Sequence, residues 1–170
     1  MLGFLFRGLT AEPHRGAALF GAITVETRKP HWYVEGKVPD TIDGRFAVLA
    51  TLAALTLVRL EQIGAEANPA SVALTEQFIA VMESEHRELG LGDPTLGKTV
   101  RKLVGSLSRR VELWRSAVAS ERPWDEAVRQ SVYKSGETAE AVLHSTEALR
   151  EYWARVGHAD LSALVEGKLG

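Results

Sequence analysis

From Phe46 to Leu60 the chain reads FAVLATLAALTLVRL, an apolar run interrupted by Thr51, Thr56 and Arg59. Over roughly Ile42 to Ile63 the apolar residues fall nearly all round a helix, so neighbours must cover that helix on several sides. The run is shorter than the ~20 apolar residues a membrane-spanning helix needs, and it is expected to be the buried centre of a bundle. Gly64 is its expected stop. A chain built round such a helix needs partners that are each apolar on one face.

The rest of the sequence supplies them. A first helix is predicted from Pro13 to about Thr27, with Pro13 suited to its first turn. Asn68 and Pro69 read as a cap followed by a first-turn proline, opening a helix with the stripe Leu74, Phe78, Val81, Met82 and Leu89. Gly90 and Gly92 break the pattern. Asp93 and Pro94 repeat the device and start a long helix striped by Val100, Leu103, Val104, Leu107, Val111, Trp114 and Val118. Shorter helices follow: one carrying Trp124, Ala127, Val128 and Ser131, one from Thr138 to Gly157, and a last one with Leu161, Leu164 and Val165. No segment shows strand alternation bounded by hairpin signals, so the expected fold is all-α, a single-domain bundle of about six to seven helices over residues 11–170. A length of 170 residues suits one domain with a real core. Residues 1–10, MLGFLFRGL and Thr10, form a separate apolar segment, expected to be flexible or to dock on a surface. It lacks the basic start and cleavage site of a secretory signal, which makes a cytoplasmic protein the expectation.

Composition and motifs exclude most chemistry. Without cysteine there is no disulfide, thiol nucleophile or thiolate zinc site. Glu83 to His86 spells Glu-x-x-His, which on a helix puts carboxylate and imidazole on one face as di-iron bundles require. Those proteins need the motif twice, and the other candidates, Glu140 and His144, are four apart. The apolar stripe also turns Glu83 away from the core, so a solvated charged face is expected and an iron enzyme is not. No G-x-S-x-G elbow, Walker loop or dinucleotide fingerprint occurs. Gly90-Leu91-Gly92 precedes a helix, but the acid Asp93 at its start repels phosphate. The expectation is therefore no catalytic residue, no metal, no cofactor and no small-molecule substrate. The five histidines, His14, His31, His86, His144 and His158, show no spacing that pairs them, and each is expected at a cap or in solvent.

The connection Pro30 to Phe46, PHWYVEGKVPDTIDGRF, is longer and more aromatic than a link between two helices requires. Its two prolines disfavour helical conformation at Lys29 and Val38, which predicts a rigid, extended loop. Two readings of Trp32 and Tyr33 stand side by side. They can fold back to close one end of the core, their polar atoms finding nearby carbonyls, or they can face a partner. Asp40 and Asp43 flank Thr41 just before the central helix, as capping carboxylates would. Arg45, in a first turn where the dipole disfavours a cation, calls for a partner among Asp40, Asp43 and Glu35.

These residues also carry a resemblance. The pattern W-Y-x-x-G-x-V-P-D-T-x-x-G-R-F, unbroken from Trp32 to Phe46, and RELGLGDPTLGK from Arg87 to Lys98 resemble the ubiquinol-cytochrome c chaperone family, bacterial relatives of the mitochondrial assembly factor for cytochrome b. The likeness covers roughly Val25 to Trp114. It implies a non-enzymatic assembly chaperone for the respiratory ubiquinol-cytochrome c oxidoreductase, with newly made cytochrome b as its protein client. A small helical partner protein and the ribosome or membrane surface are the other partners implied. On this reading Trp32, Tyr33, Glu35, Val38, Asp40, Thr41, Arg45 and Phe46 form one wall of a client site.

One further feature stands apart from the motif. Lys98, Arg101, Lys102, Arg109, Arg110 and Arg115 share the long helix with a single downstream acid, Glu112, in a chain whose net charge is −2. Such a face suggests an anionic partner: lipid head groups, RNA or an acidic protein surface. The alternative function is thus a membrane-surface or RNA-binding helical module acting through Lys98, Arg101, Lys102 and Arg109. The expected location is cytoplasmic, with peripheral contact at the inner membrane.

Overall fold

The structure, a computed structural model, describes residues 16–90 and 92–170. The apolar segment 1–10, and Pro13 as a helix start, lie outside the described residues. Eight α-helices occur among those described: α1 (Ala17–Thr27), α2 (His31–Val34), α3 (Ile42–Ile63), α4 (Asn68–Glu88), α5 (Asp93–Val118), α6 (Trp124–Val132), α7 (Ala139–His158) and α8 (Leu161–Val165), with a 3₁₀ turn at Ala65–Ala67. The helix beyond the expected six to seven is α2, a single turn inside the segment read as extended.

Everything is arranged round α3, which packs against α1, α4, α5, α6 and α7, most extensively against α5. The helix extends past the Phe46–Leu60 run at both ends and so, against the expectation from that run, is long and apolar enough to cross a membrane, yet most of it is buried inside the bundle. Ala50, Leu52, Ala54, Leu55 and Leu60 are wholly buried, each leucine contributing roughly 1.5–3 kcal/mol by leaving water. The interrupting polar residues are satisfied rather than exposed. Thr51 bonds the Ala47 carbonyl (2.7 Å) and the Ser131 hydroxyl (2.6 Å), and the Trp114 indole donates to the same Ser131 hydroxyl (3.0 Å), tying α3, α5 and α6 together. Thr56 bonds the Leu52 carbonyl and the Tyr152 hydroxyl (2.7 Å); burial pushes that phenol's pKa well up. Arg59 donates to the Val156 carbonyl at 3.2 Å. Among the described residues no buried side-chain polar atom lacks a partner, which is how a nearly all-apolar helix carries two threonines and an arginine.

Several ends differ from expectation for local reasons. At the start of α3 the Thr41 hydroxyl, and neither carboxylate, accepts from the Gly44 N–H (3.2 Å). Asn68 is already helical at φ −53°, ψ −44°, because the 3₁₀ turn after Gly64 feeds straight into α4. Gly157 lies inside α7, which runs on to His158 before Asp160 caps α8 through the Ala163 N–H. Leu89 is 61% exposed at the end of α4 instead of joining its inward stripe.

Candidate functional site

A helix leaves its last carbonyls without intrahelical donors, and in α1 the following residues close them. The backbone N–H groups of Arg28 and Lys29 turn back onto Thr24, Val25 and Glu26. The Trp32 indole donates to the Glu26 carbonyl (3.0 Å), and the Tyr33 hydroxyl to the Thr27 carbonyl (2.8 Å). The aromatic pair is thus a side-chain cap on α1. Trp32 is 1% exposed and Val38 2%, so neither offers a surface to a partner, contrary to their placement on a client wall. Pro30, at φ −60°, ψ −28°, starts α2 instead of holding the chain extended.

Two glycines let this segment pack. A β-carbon on Gly36 would lie 2.6 Å from the Trp32 carbonyl oxygen and 3.0 Å from the Ser145 hydroxyl of α7. The Tyr133 hydroxyl reaches the Gly36 carbonyl beside it. At Gly44 a β-carbon would fall 1.9 Å from the Pro39 carbonyl oxygen, so the loop lies directly on the first turn of α3.

The folded segment becomes one wall of a groove of about 960 Å³ between the end of α1, α2, the start of α3 and the end of α4. Its floor is apolar: Phe46 and Leu49 of α3, Met82 of α4 and Leu103 of α5. Three rim residues are large, apolar and open to water, Val34 at 56%, Ile42 at 64% and Leu89 at 61%. Asp40, Asp43, Glu85 and Glu88 line the groove together with Arg28 and Arg45. Of the residues singled out from sequence, Tyr33, Asp40, Arg45 and Phe46 line this groove; Trp32, Glu35, Val38 and Thr41 do not. Val34, Ile42, Leu49, Met82, Leu89 and Leu103 are the lining that sequence reasoning missed.

Burial chiefly raises the Tyr33 phenol's pKa, with Arg45 opposing it. Arg45 Nε meets Asp40 Oδ1 at 2.7 Å, both side chains more than half exposed, and Asp43 pairs with Lys134. The Asp40–Arg45 pair identifies the partner Arg45 needed, but screened by solvent it contributes little. Arg45→Ala is expected to leave the thermal midpoint essentially where it is, as circular dichroism melting would show.

The basic helix divides in two. Lys98, Arg101, Lys102 and Arg109 are exposed and make no ion pair among the described residues. Arg115 pairs with Glu61 and Glu112. Arg110 turns inward, donating to the Ser131 carbonyl (3.1 and 2.8 Å), its guanidinium 5.7 Å from the centre of the Phe46 ring. Burial, then neighbouring Arg109, lowers its pKa to about 10. It supports the groove floor from beneath rather than joining the basic face.

The histidines are not all solitary. His31 Nδ1 and His144 Nε2 lie 3.0 Å apart, joining α2 to α7 across 113 residues, a separation no local spacing could reveal. His86 donates from Nδ1 to the Met82 carbonyl (2.7 Å), and His158 likewise to Ala154. His14 lies outside the described residues. No group of three or more His, Asp or Glu side chains among the described residues is placed to hold a metal ion.

Residues 34–169 match the family model described as ubiquinol-cytochrome C chaperone. The chain belongs to that family. It is therefore an assembly factor, not an enzyme. The fold of this chaperone is similar to that in the crystal structure of the Cbp3 homolog from Brucella abortus, with a TM-score of 0.72 and 22% identity over 98% of this chain and 94% of that one. No curated protein matches it significantly.

Proposed function

We propose that this chaperone holds newly made cytochrome b by seating an apolar helix of that client in the groove until the other parts of the ubiquinol-cytochrome c oxidoreductase arrive. The observation that carries the reading is the coincidence of Val34, Ile42 and Leu89, all open to water, on the rim of a single apolar trough. Clustered exposed apolar side chains mark places where another apolar surface is covered. A helix is about 10–12 Å across, so the groove takes up roughly two of its turns, in the helix-in-groove mode. Met82 in the floor suits it to clients of varied side chains, because methionine repacks readily.

The test is recovery of cytochrome b with the tagged protein from its own membranes in mild detergent. Ile42→Glu combined with Leu89→Glu is expected to lower that recovery at least about tenfold, since desolvating one carboxylate against an apolar helix outweighs the ~1.4 kcal/mol that a tenfold change represents. Both residues are exposed in the free protein, so helical content and thermal midpoint should not move. Undiminished recovery by the folded double variant rejects the groove. The exposed cations Lys98, Arg101, Lys102 and Arg109, which make no ion pair among the described residues, support a peripheral contact with the anionic membrane surface that would bring the groove to its client. Salt separates the two surfaces: contact through the cations weakens steeply with ionic strength, while burial in an apolar groove barely responds. Recovery of lipid or RNA that washes off in salt, without cytochrome b, would make the basic face the functional surface instead.

A further inference from the structure

We propose that His31 and His144 form an acid-released latch that holds the α2 wall of the groove against α7. The latch is a property of the chain itself; its consequence for client capture rests on the groove reading.

His31 Nδ1 and His144 Nε2 face each other at 3.0 Å, with ring centroids 5.2 Å apart and planes inclined by 63°. At that distance one nitrogen must carry a hydrogen and the other a lone pair. Neutral or singly protonated, the pair has one donor and one acceptor and the bond stands. When both rings are protonated, two N–H groups and two positive charges confront each other in a half-buried contact, and the bond is gone.

The surroundings set the direction. Glu26 of α1 and Glu35, just beyond α2, favour charge on His31; Lys29 and His144 disfavour it. Glu26 is already engaged by Lys29 (2.9 Å) and Arg155 (2.7 Å). On α7, Glu140 and Glu147 sit one turn to either side of His144. Burial, then His144, outweighs the carboxylates, and His31 is held below its ordinary 6.5. A base whose folded pKa is depressed contributes stability that is present above its unfolded pKa and is lost as pH falls through the folded value. The latch therefore holds at neutral pH and loosens on mild acidification.

What it holds is specific. His31 belongs to the same short turn whose Pro30, Tyr33 and Val34 line the groove. That turn has other ties, through Trp32 and Tyr33 to α1 and through Gly36 to Tyr133. Release frees the turn from α7 without unfolding it.

The test uses the full chain, following histidine ring resonances and amide hydrogen exchange in the wild type and in His144→Gln, whose side-chain amide can still bond His31 but cannot titrate. As pH falls from about 7.5 to about 5, wild-type exchange over residues 31–36, corrected for its intrinsic pH dependence, is expected to speed up severalfold. The variant should keep its neutral-pH protection, lose the acid response, and show a higher His31 midpoint. His31→Gln should lose the acid response as well. An acid response that survives in both variants, or a His31 midpoint indifferent to the loss of His144, overturns the latch. Neither readout involves a client, so the latch stands or falls separately from the groove.

Discussion

Gly44→Ala is expected to destabilise the protein by about 3 kcal/mol or more, a larger effect than the addition of one methyl group ordinarily has. The new β-carbon would sit 1.9 Å from the Pro39 carbonyl oxygen and 3.3 Å from a Val38 methyl. The first obstacle is backbone, so no rotamer change relieves it. Either the first turn of α3 moves away, losing the Thr41 hydroxyl bond to the Gly44 N–H, or the Val38–Pro39 loop lifts and uncovers Val38, which is 2% exposed. The second course also opens the groove, since Asp40 of the same loop lines it. For a domain of this size the loss corresponds to a fall of roughly 6–12 °C in thermal midpoint. Gly21→Ala is the control, because nothing lies within 4 Å of a β-carbon there and the site is an exposed helix interior. It should stabilise by roughly 0.5–1 kcal/mol by favouring the helix. Urea or thermal unfolding of the two variants should therefore give shifts of opposite sign; a Gly44→Ala protein as stable as the wild type would mean the loop does not lie on the helix.

The central helix was legible because its evidence is local. An all-round apolar run with capping residues at one end and a glycine at the other identifies Ile42–Ile63 without tertiary information, and it called for neighbours on several sides; that Thr41 and not a carboxylate caps it, and that the neighbours number five, only the packing shows. The loop was legible as a special object but not in its form. Pro30 was read through its effect on Lys29, which suggested extension, although a proline is equally at home in the first turn of a helix. Trp32 and Tyr33 are adjacent and chemically alike, yet one is in the core and the other half-buried on a groove, a distinction made by where α1 ends. Leu89 shows the converse. Its spacing continues the stripe of Leu74, Phe78 and Met82, but α4 ends at Glu88 and Leu89 is the residue just past it, so an inward position in pattern becomes a rim position in space. Arg110 and the His31–His144 pair depend on helices brought together from distant parts of the chain, and no periodicity carries that information.

Trp32→Ala is the second large effect, at about 3–5 kcal/mol, the usual cost of emptying a buried aromatic site. The indole is 1% exposed, and three consequences follow from removing it. A large cavity opens between α1 and the loop, the Glu26 carbonyl loses its indole donor, and His31 loses the ring it packs on at 4.4 Å between centroids. Trp32→Phe keeps an aromatic ring in the site and removes the donor, so it should cost about 1–3 kcal/mol, the range for a buried group left unpaired. Tyr33→Ala, on the groove wall, should cost less stability than Trp32→Ala and more client recovery relative to its effect on folding. The comparison decides how the adjacent aromatics divide their work. If Trp32→Ala melted like the wild type while recovering no cytochrome b, the indole would have to leave the core to meet the client, and the aromatic pair would be a contact surface rather than the cap of α1. If instead Trp32→Ala loses stability and Tyr33→Ala loses recovery, the same two-residue motif closes a helix with one side chain and lines the groove with the other.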